Sequence, residues 1–186
     1  MSKEYDKLKG LYSSQKWEYE TPEDIFNFLD DLFNFQIDCA ATEDNTKCEH
    51  FISPKMDALS VLTSWEPKVP IANGRFWLNP PWCREYTKAT GKTLADWLSR
   101  AYTEYLKGNE GVVLVSARVD TKWWHEYAKL APYIWFPKGR ISFLYDGEVM
   151  NQPNFGSAFL IYVNRLDTNQ IQTLSKSGDL RMRLTI

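Results

Sequence analysis

The tetrapeptide Asn79-Pro80-Pro81-Trp82 follows the apolar run "RFWL" and sets a carboxamide, two rigid carbonyls and an indole at a strand end. That set suits one kind of chemistry. An amino group conjugated to a heteroaromatic ring, such as the exocyclic amine of adenine, is planar, and its delocalised lone pair is a poor nucleophile. Two acceptors aimed at the two N–H bonds localise the pair, most effectively when positive charge develops on nitrogen as a methyl group arrives. The Asn79 side-chain oxygen and the Pro80 backbone carbonyl are the candidate acceptors. Proline has no N–H and a fixed φ, and Pro81 restricts Pro80 in turn, so the carbonyl direction is set before substrate binds. Trp82 is the candidate stacking surface for the base. A Pro-Pro turn beside a packed tryptophan is the plain structural alternative, and it leaves the asparagine without a role.

Helix and strand signals alternate along the chain, as needed to carry such a strand end. "TPEDIFNFLDDLFNF" has Thr21 as a candidate N-cap, Pro22 at the first helical position and two acids in the first turn. Ile25, Phe28, Leu29 and Leu32 then recur at helical spacing. "FQIDCAA" reads as a short buried strand ending at Asp38, followed by a polar loop, by "DALSVLTSW" with Asp57 just before a candidate helix, and by "RFWL". From Thr93 to Lys107, the positions Leu94, Trp97, Leu98, Ala101 and Tyr105 make an amphipathic helix. "GVVLVSA" is a continuous apolar strand suited to a sheet covered on both faces. "TKWWHEYAKLA" reads as a helix, and "YIWFPKG", "RISFLYDG" and "SAFLIYVN" read as strands, with the last two expected to pair around Asp146-Gly147. The alternation predicts a three-layer α/β fold with a mixed, mostly parallel sheet and an antiparallel C-terminal hairpin. One domain is expected over 1–186, with 1–16 as a flexible N-terminal segment.

In such sheets ligands sit at the carboxyl ends of the strands. Four candidate ends deliver polar groups: Asp38, Asn79, Ser116 with Arg118, and Lys138 with Arg140. The turn "DCAAT" is not G-x-G-x-x-G, so the backbone cradle for a pyrophosphate is absent. That disfavours a nicotinamide dinucleotide, whereas a nucleoside cofactor without phosphates, such as S-adenosylmethionine, needs no cradle.

A formal charge of −2 over 186 residues excludes the strongly basic footprint of a constitutive nucleic-acid binder, so contact with nucleic acid must be local. Arg118, Lys122, Lys138 and Arg140, after successive strands, are the candidates for it. The eight Trp, ten Tyr and ten Phe exceed what a core of this size obviously needs, leaving some for flat ligands. Three cysteines without C-x-x-C spacing, and "CEH" as the sole Cys/His neighbour pair, suggest reduced thiols and no metal. No apolar run is long enough to cross a membrane and the N-terminus has no signal-peptide pattern, which points to a soluble cytoplasmic protein. His125, alone in "KWWHEY", is given no catalytic role.

In the order of its blocks, "KWEYETPEDIFNFLD", "IDCAAT", "KCEHF", "DALS", "FWLNPPW", "SARVDTKWWHEY", "KGRISF" and "NFGSAFLIY", the chain resembles the phage-type DNA N6-adenine methyltransferases, often called phage Dam proteins. The resemblance implies a Rossmann-like methyltransferase fold and transfer of a methyl group from S-adenosylmethionine to the N6 amine of adenine in DNA. It makes Trp17, Thr21, Pro22, Asp38, Ala40 and Asp57 cofactor candidates and Asn79, Pro80, Pro81 and Trp82 the catalytic set. Tryptophan stands here where the family more often has tyrosine or phenylalanine. The target adenine is expected to flip out of the duplex into the pocket. Specificity is expected to be short or weak, helped by a homodimer, and the source to be a phage or prophage in a bacterial host. RNA adenine or a protein glutamine as the acceptor, or a non-catalytic cofactor- and DNA-binding decoy, are the alternatives.

Overall fold

The computed structural model describes residues 19–66, 75–145 and 147–183. Trp17 and the segment 1–16 lie outside them. Helix α1 (Glu23–Phe33) leads into β1 (Phe35–Asp38), and a turn-rich stretch carries the short β2 (His50–Phe51). Strand β3 (Arg75–Leu78), helices α2 (Arg84–Thr90) and α3 (Leu94–Leu106) and strand β4 (Gly111–Ser116) follow. Next come α4 (Lys122–Glu126), a 3-10 turn and β5 (Tyr133–Pro137). The ribbon strands β6 (Leu144–Tyr145) and β7 (Glu148–Val149) precede β8 (Ser157–Tyr162), α5 (Thr168–Ser177) and β9 (Gly178–Met182).

One seven-stranded sheet has the order β2-β1-β3-β4-β8-β5-β9. Strands β1 to β5 run one way, and β8 and β9 run against them. The two faces of the sheet bury separate clusters, as the alternation of strand side chains requires. Phe35, Trp77, Val112, Leu114 and Phe159 point toward Phe26, Leu29 and Phe33 of α1 and Leu174 of α5. Ile37, Phe76, Val113, Val115 and Leu160 point toward Trp97, Leu98 and Ala101 of α3 and Trp124 of α4. This is the expected three-layer α/β architecture, consistent with a Rossmann-like methyltransferase fold. At the β3–β4 register Phe76 faces Gly111, where a Cβ would come within 2.4 Å of both the Phe76 ring and its carbonyl, so only glycine fits.

Local details depart from the expectations. The α1 seam is centred on Phe26, Leu29 and Phe33, with Ile25, Phe28 and Leu32 on its flanks. Pro22 occupies the α1 cap, its carbonyl accepting the Phe26 N–H at 3.0 Å. Thr21 lies one residue too early to cap, and its buried hydroxyl has no hydrogen-bond partner among the described residues. The stretch after Asp57 is a series of turns, not a helix. Around Gly147, "RISFLY" pairs with Glu148–Val149 instead of with "SAFLIY". The reason is burial: all six residues of β8 are buried, so they need neighbours on both edges and take them from β4 and β5, whereas Glu148 and Val149 are exposed. Helix α5 and β9 had no sequence expectation, although Asp167 and Gln170 form a capping box that signals the helix start.

Candidate active site

Strand β1 runs to β2 on one side, and the chain returns as β3 on the other side of β1. The order therefore reverses between β1 and β3, which opens a crevice beyond their carboxyl ends. A cavity of about 1100 Å³ occupies this position. Asp38 and Ala40 from the β1 end line it, with Asp57 from the turns and Asn79, Pro80, Pro81 and Trp82 from the β3 end. Ser116 and Arg118 from the β4 end and Thr21 complete the sequence-derived residues that it gathers. Pro22 caps α1 and Lys122, Lys138 and Arg140 lie off the wall. Lys122 pairs with Glu126, and Lys138 Nζ donates to the Lys176 carbonyl at 2.9 Å. Arg140 Nη1 donates at 3.1 Å to the carbonyl of Pro153, which does line the cavity.

Asp38 is buried, and its oxygens accept the backbone N–H groups of Ala40 and Lys47, each at 3.2 Å. Burial pushes its carboxyl up to about 6, opposed by those two N–H groups and by the Lys47 charge. Glu23 in turn pairs with the Lys47 ammonium. Asp57 adopts a left-handed backbone, φ 53°, tolerable for an Asx residue that bonds its own turn. Its Oδ1 accepts from Leu59 N at 3.1 Å and from Lys92 Nζ at 2.7 Å. It is not a helix N-cap.

Asn79 is held at both ends of its carboxamide. Nδ2 donates to the Tyr19 carbonyl at 2.8 Å, and Oδ1 accepts from Trp82 Nε1 at 3.0 Å. The Trp82 ring meets Phe143 edge-on at 5.4 Å and Phe155 at 6.0 Å, neither as a parallel stack. Arg118 lies 5.1 Å over the other aromatic of this group, Phe155, and no carboxylate pairs with it among the described residues. Directly after the motif, Cys83 Sγ caps α2 by accepting the Tyr86 N–H. Among the wall residues that sequence reasoning did not single out are Tyr19, Lys92, Phe143 and Phe155. The block "NFGSAF" carries Phe155, but nothing local marks Tyr19, which matters through its backbone.

A family model described as DNA N-6-adenine-methyltransferase (Dam) matches residues 10–182. The chain belongs to this family. By family it is a DNA N6-adenine methyltransferase, an enzyme of DNA adenine methylation. A protein of Haemophilus phage HP1 (strain HP1c1) named "DNA N-6-adenine-methyltransferase" is 29% identical over 148 residues, 76% of this chain and 75% of that relative. Among the described residues, no group of three or more His, Cys, Asp and Glu side chains gathers as a metal site would need. No described helix is long and apolar enough to cross a membrane.

The residues present fit a methyl donor of the S-adenosylmethionine type. Asp38 presents a buried carboxylate, an acceptor-only group suited to an ammonium or a hydroxyl, and Asp57 is a second acceptor on the same cavity. The volume exceeds what one drug-sized ligand fills, leaving room for a nucleobase beside a nucleoside cofactor.

Proposed function

We propose that this chain methylates the exocyclic amine of adenine in DNA with S-adenosylmethionine as methyl donor, the base being turned out of the duplex into the cavity at the β1 and β3 ends. The observation that carries this is the carboxamide of Asn79, held with its oxygen accepting and its nitrogen donating, beside Pro80 on the wall of a cavity that also holds Asp38 and Asp57. The cofactor supplies an electrophilic methyl carbon next to a sulfonium leaving group. Asp38, Asp57, Thr21 and Ala40 are its proposed contacts within the described residues.

The chain's own part is to prepare the nucleophile. Asn79 Oδ1 and the Pro80 carbonyl accept the two amine N–H bonds, which draws the nitrogen lone pair out of conjugation and stabilises the charge that grows on nitrogen. The localised pair is what would take up the methyl group that a bound donor supplies, the S–C bonding electrons remaining on the donor's sulfur. The surplus amine proton leaves to solvent, since a carboxamide and a backbone carbonyl retain no proton near neutral pH. Unstacking the base costs a few kcal/mol, which stacking on Trp82 partly offsets. Arg118, at the cavity with no carboxylate partner among the described residues, and Arg140, beside Pro153, are the proposed phosphate contacts, with Lys122 and Lys138 off the cavity wall.

The decisive experiment is incubation of the full chain with tritiated S-adenosylmethionine and separate DNA, RNA and protein substrates, followed by nucleoside analysis. Label in N6-methyl-2′-deoxyadenosine from DNA is expected, reduced roughly a hundredfold or more in Asn79→Ala at unchanged cofactor affinity. Label only in RNA or in glutamine would overturn the assignment of substrate. An Asn79→Ala chain at wild-type rate would overturn the role of the motif.

A further inference from the structure

Trp82 is placed in the motif as a stacking surface, a task phenylalanine performs nearly as well. The structure gives its indole a second contact that phenylalanine has no atom to make: Nε1 donates to Asn79 Oδ1 at 3.0 Å. An indole N–H can only donate and a backbone carbonyl can only accept. Turning the Asn79 carboxamide over would thus set its NH2 against the indole N–H and its oxygen against the Tyr19 carbonyl, turning two hydrogen bonds into two repulsions. Orientation is what the chemistry requires of this side chain. With its oxygen forward it accepts an amine N–H, whereas with its nitrogen forward it confronts that N–H with another donor. Oδ1 has two lone-pair directions, and the indole occupies one of them. Donation from Nδ2 to the Tyr19 carbonyl also shifts electron density toward Oδ1, strengthening the acceptor.

Both partners of the carboxamide are themselves fixed by one segment of chain. Phe143 packs edge-on against the Trp82 ring. Its neighbour Leu144 exchanges both backbone hydrogen bonds with Glu20, at 2.9 and 3.0 Å, which holds Tyr19 in place. The ribbon that begins at β6 thus backs the indole on one side and the Tyr19 carbonyl on the other.

We propose that Trp82 is a positioning residue for Asn79: its indole N–H, together with the Tyr19 carbonyl, holds the carboxamide oxygen toward the substrate amine. This rests on the reading that Asn79 accepts from that amine. The assignment separates two properties of one side chain, the ring that stacks and the N–H that orients.

The test replaces Trp82 by β-(3-benzothienyl)alanine, which keeps the bicyclic ring and exchanges the N–H for sulfur, alongside Trp82→Phe. Single-turnover methylation at saturating cofactor and DNA is expected to slow about tenfold, the worth of one net hydrogen bond, while dissociation constants for both ligands and the melting temperature stay near wild type. In an Asn79→Ala background the same replacement is expected to cost nothing further, which a purely structural role of the ring would not produce. The Asn79 side-chain NH2 resonances of the ligand-free protein give a readout independent of turnover: they are expected to shift and exchange faster with solvent in the benzothienyl chain. Unchanged resonances, a rate within twofold of wild type, or losses that multiply in the Asn79→Ala background would each overturn the proposal. Should the wild-type chain transfer no methyl group to DNA, the functional reading fails while the resonances still report on the contact.

Discussion

Replacing Asp38 with asparagine is expected to favour the ligand-free fold increasingly as pH rises. Burial lifts the Asp38 carboxyl from 3.8 to about 6, roughly two units at about 1.36 kcal/mol each, so ionising it in the fold costs on the order of 3 kcal/mol more than in the unfolded chain. The sign follows from proton binding. With the folded value raised, the native state holds the proton more tightly, so the contribution to stability is full below about pH 4 and is lost as pH rises through about 6. Asparagine never ionises. Its oxygen keeps one of the N–H groups of Ala40 and Lys47 and its NH2 confronts the other, a cost that does not vary with pH. The difference in unfolding free energy between variant and wild type should therefore move by about 3 kcal/mol toward the variant between about pH 3 and about pH 7. Urea unfolding of both proteins across that range measures it. A constant difference would refute the reasoning, and a difference moving the other way would mean that Lys47 and the two N–H groups outweigh burial. If the ionised carboxylate is what meets the cofactor, affinity for S-adenosylmethionine must show the opposite trend and fall as pH drops below about 6.

Three further outcomes are expected. Asp57→Asn keeps the left-handed backbone and the Leu59 turn but removes the charge facing Lys92, so S-adenosylmethionine binding by calorimetry should weaken by roughly 1 to 3 kcal/mol while the half-exposed ion pair leaves stability nearly unchanged. Arg118→Ala and Arg140→Ala should each lower the slope of log affinity for duplex DNA against log salt by about one, whereas Lys138→Ala, whose ammonium is tied to the Lys176 carbonyl, should leave it unchanged. Gly111→Ala drives a Cβ to 2.4 Å from Phe76 and should destabilise by at least about 1 to 3 kcal/mol in chemical denaturation, with activity following the folded fraction.

Local patterns determined a good deal of this protein. The continuous apolar run of β4, the 3.6-residue period of α3 with its Thr93–Asp96 capping box, and the strand that stops just before Asn79-Pro80 are short-range consequences of side-chain type, and each stands where the sequence put it. The motif proposed to be reactive was legible for the same reason, because the rigidity of Pro80-Pro81 is covalent. The expected strand ends at Asp38, Asn79 and Ser116 do converge on one cavity, since a parallel sheet aligns its carboxyl edges. What lay beyond the sequence was every choice between distant partners. Strand β8 left the hairpin at Gly147 because its six residues could all be buried only between β4 and β5. Lys138 turns to the carboxyl end of α5, a partner 38 residues away. The orientation of Asn79 depends on the carbonyl of Tyr19, 60 residues away, and on the N–H of an indole whose residue type by itself marks only a flat surface. A backbone carbonyl has no sequence signature, and the direction of a side-chain hydrogen bond is decided by what tertiary packing brings within about 3 Å of it.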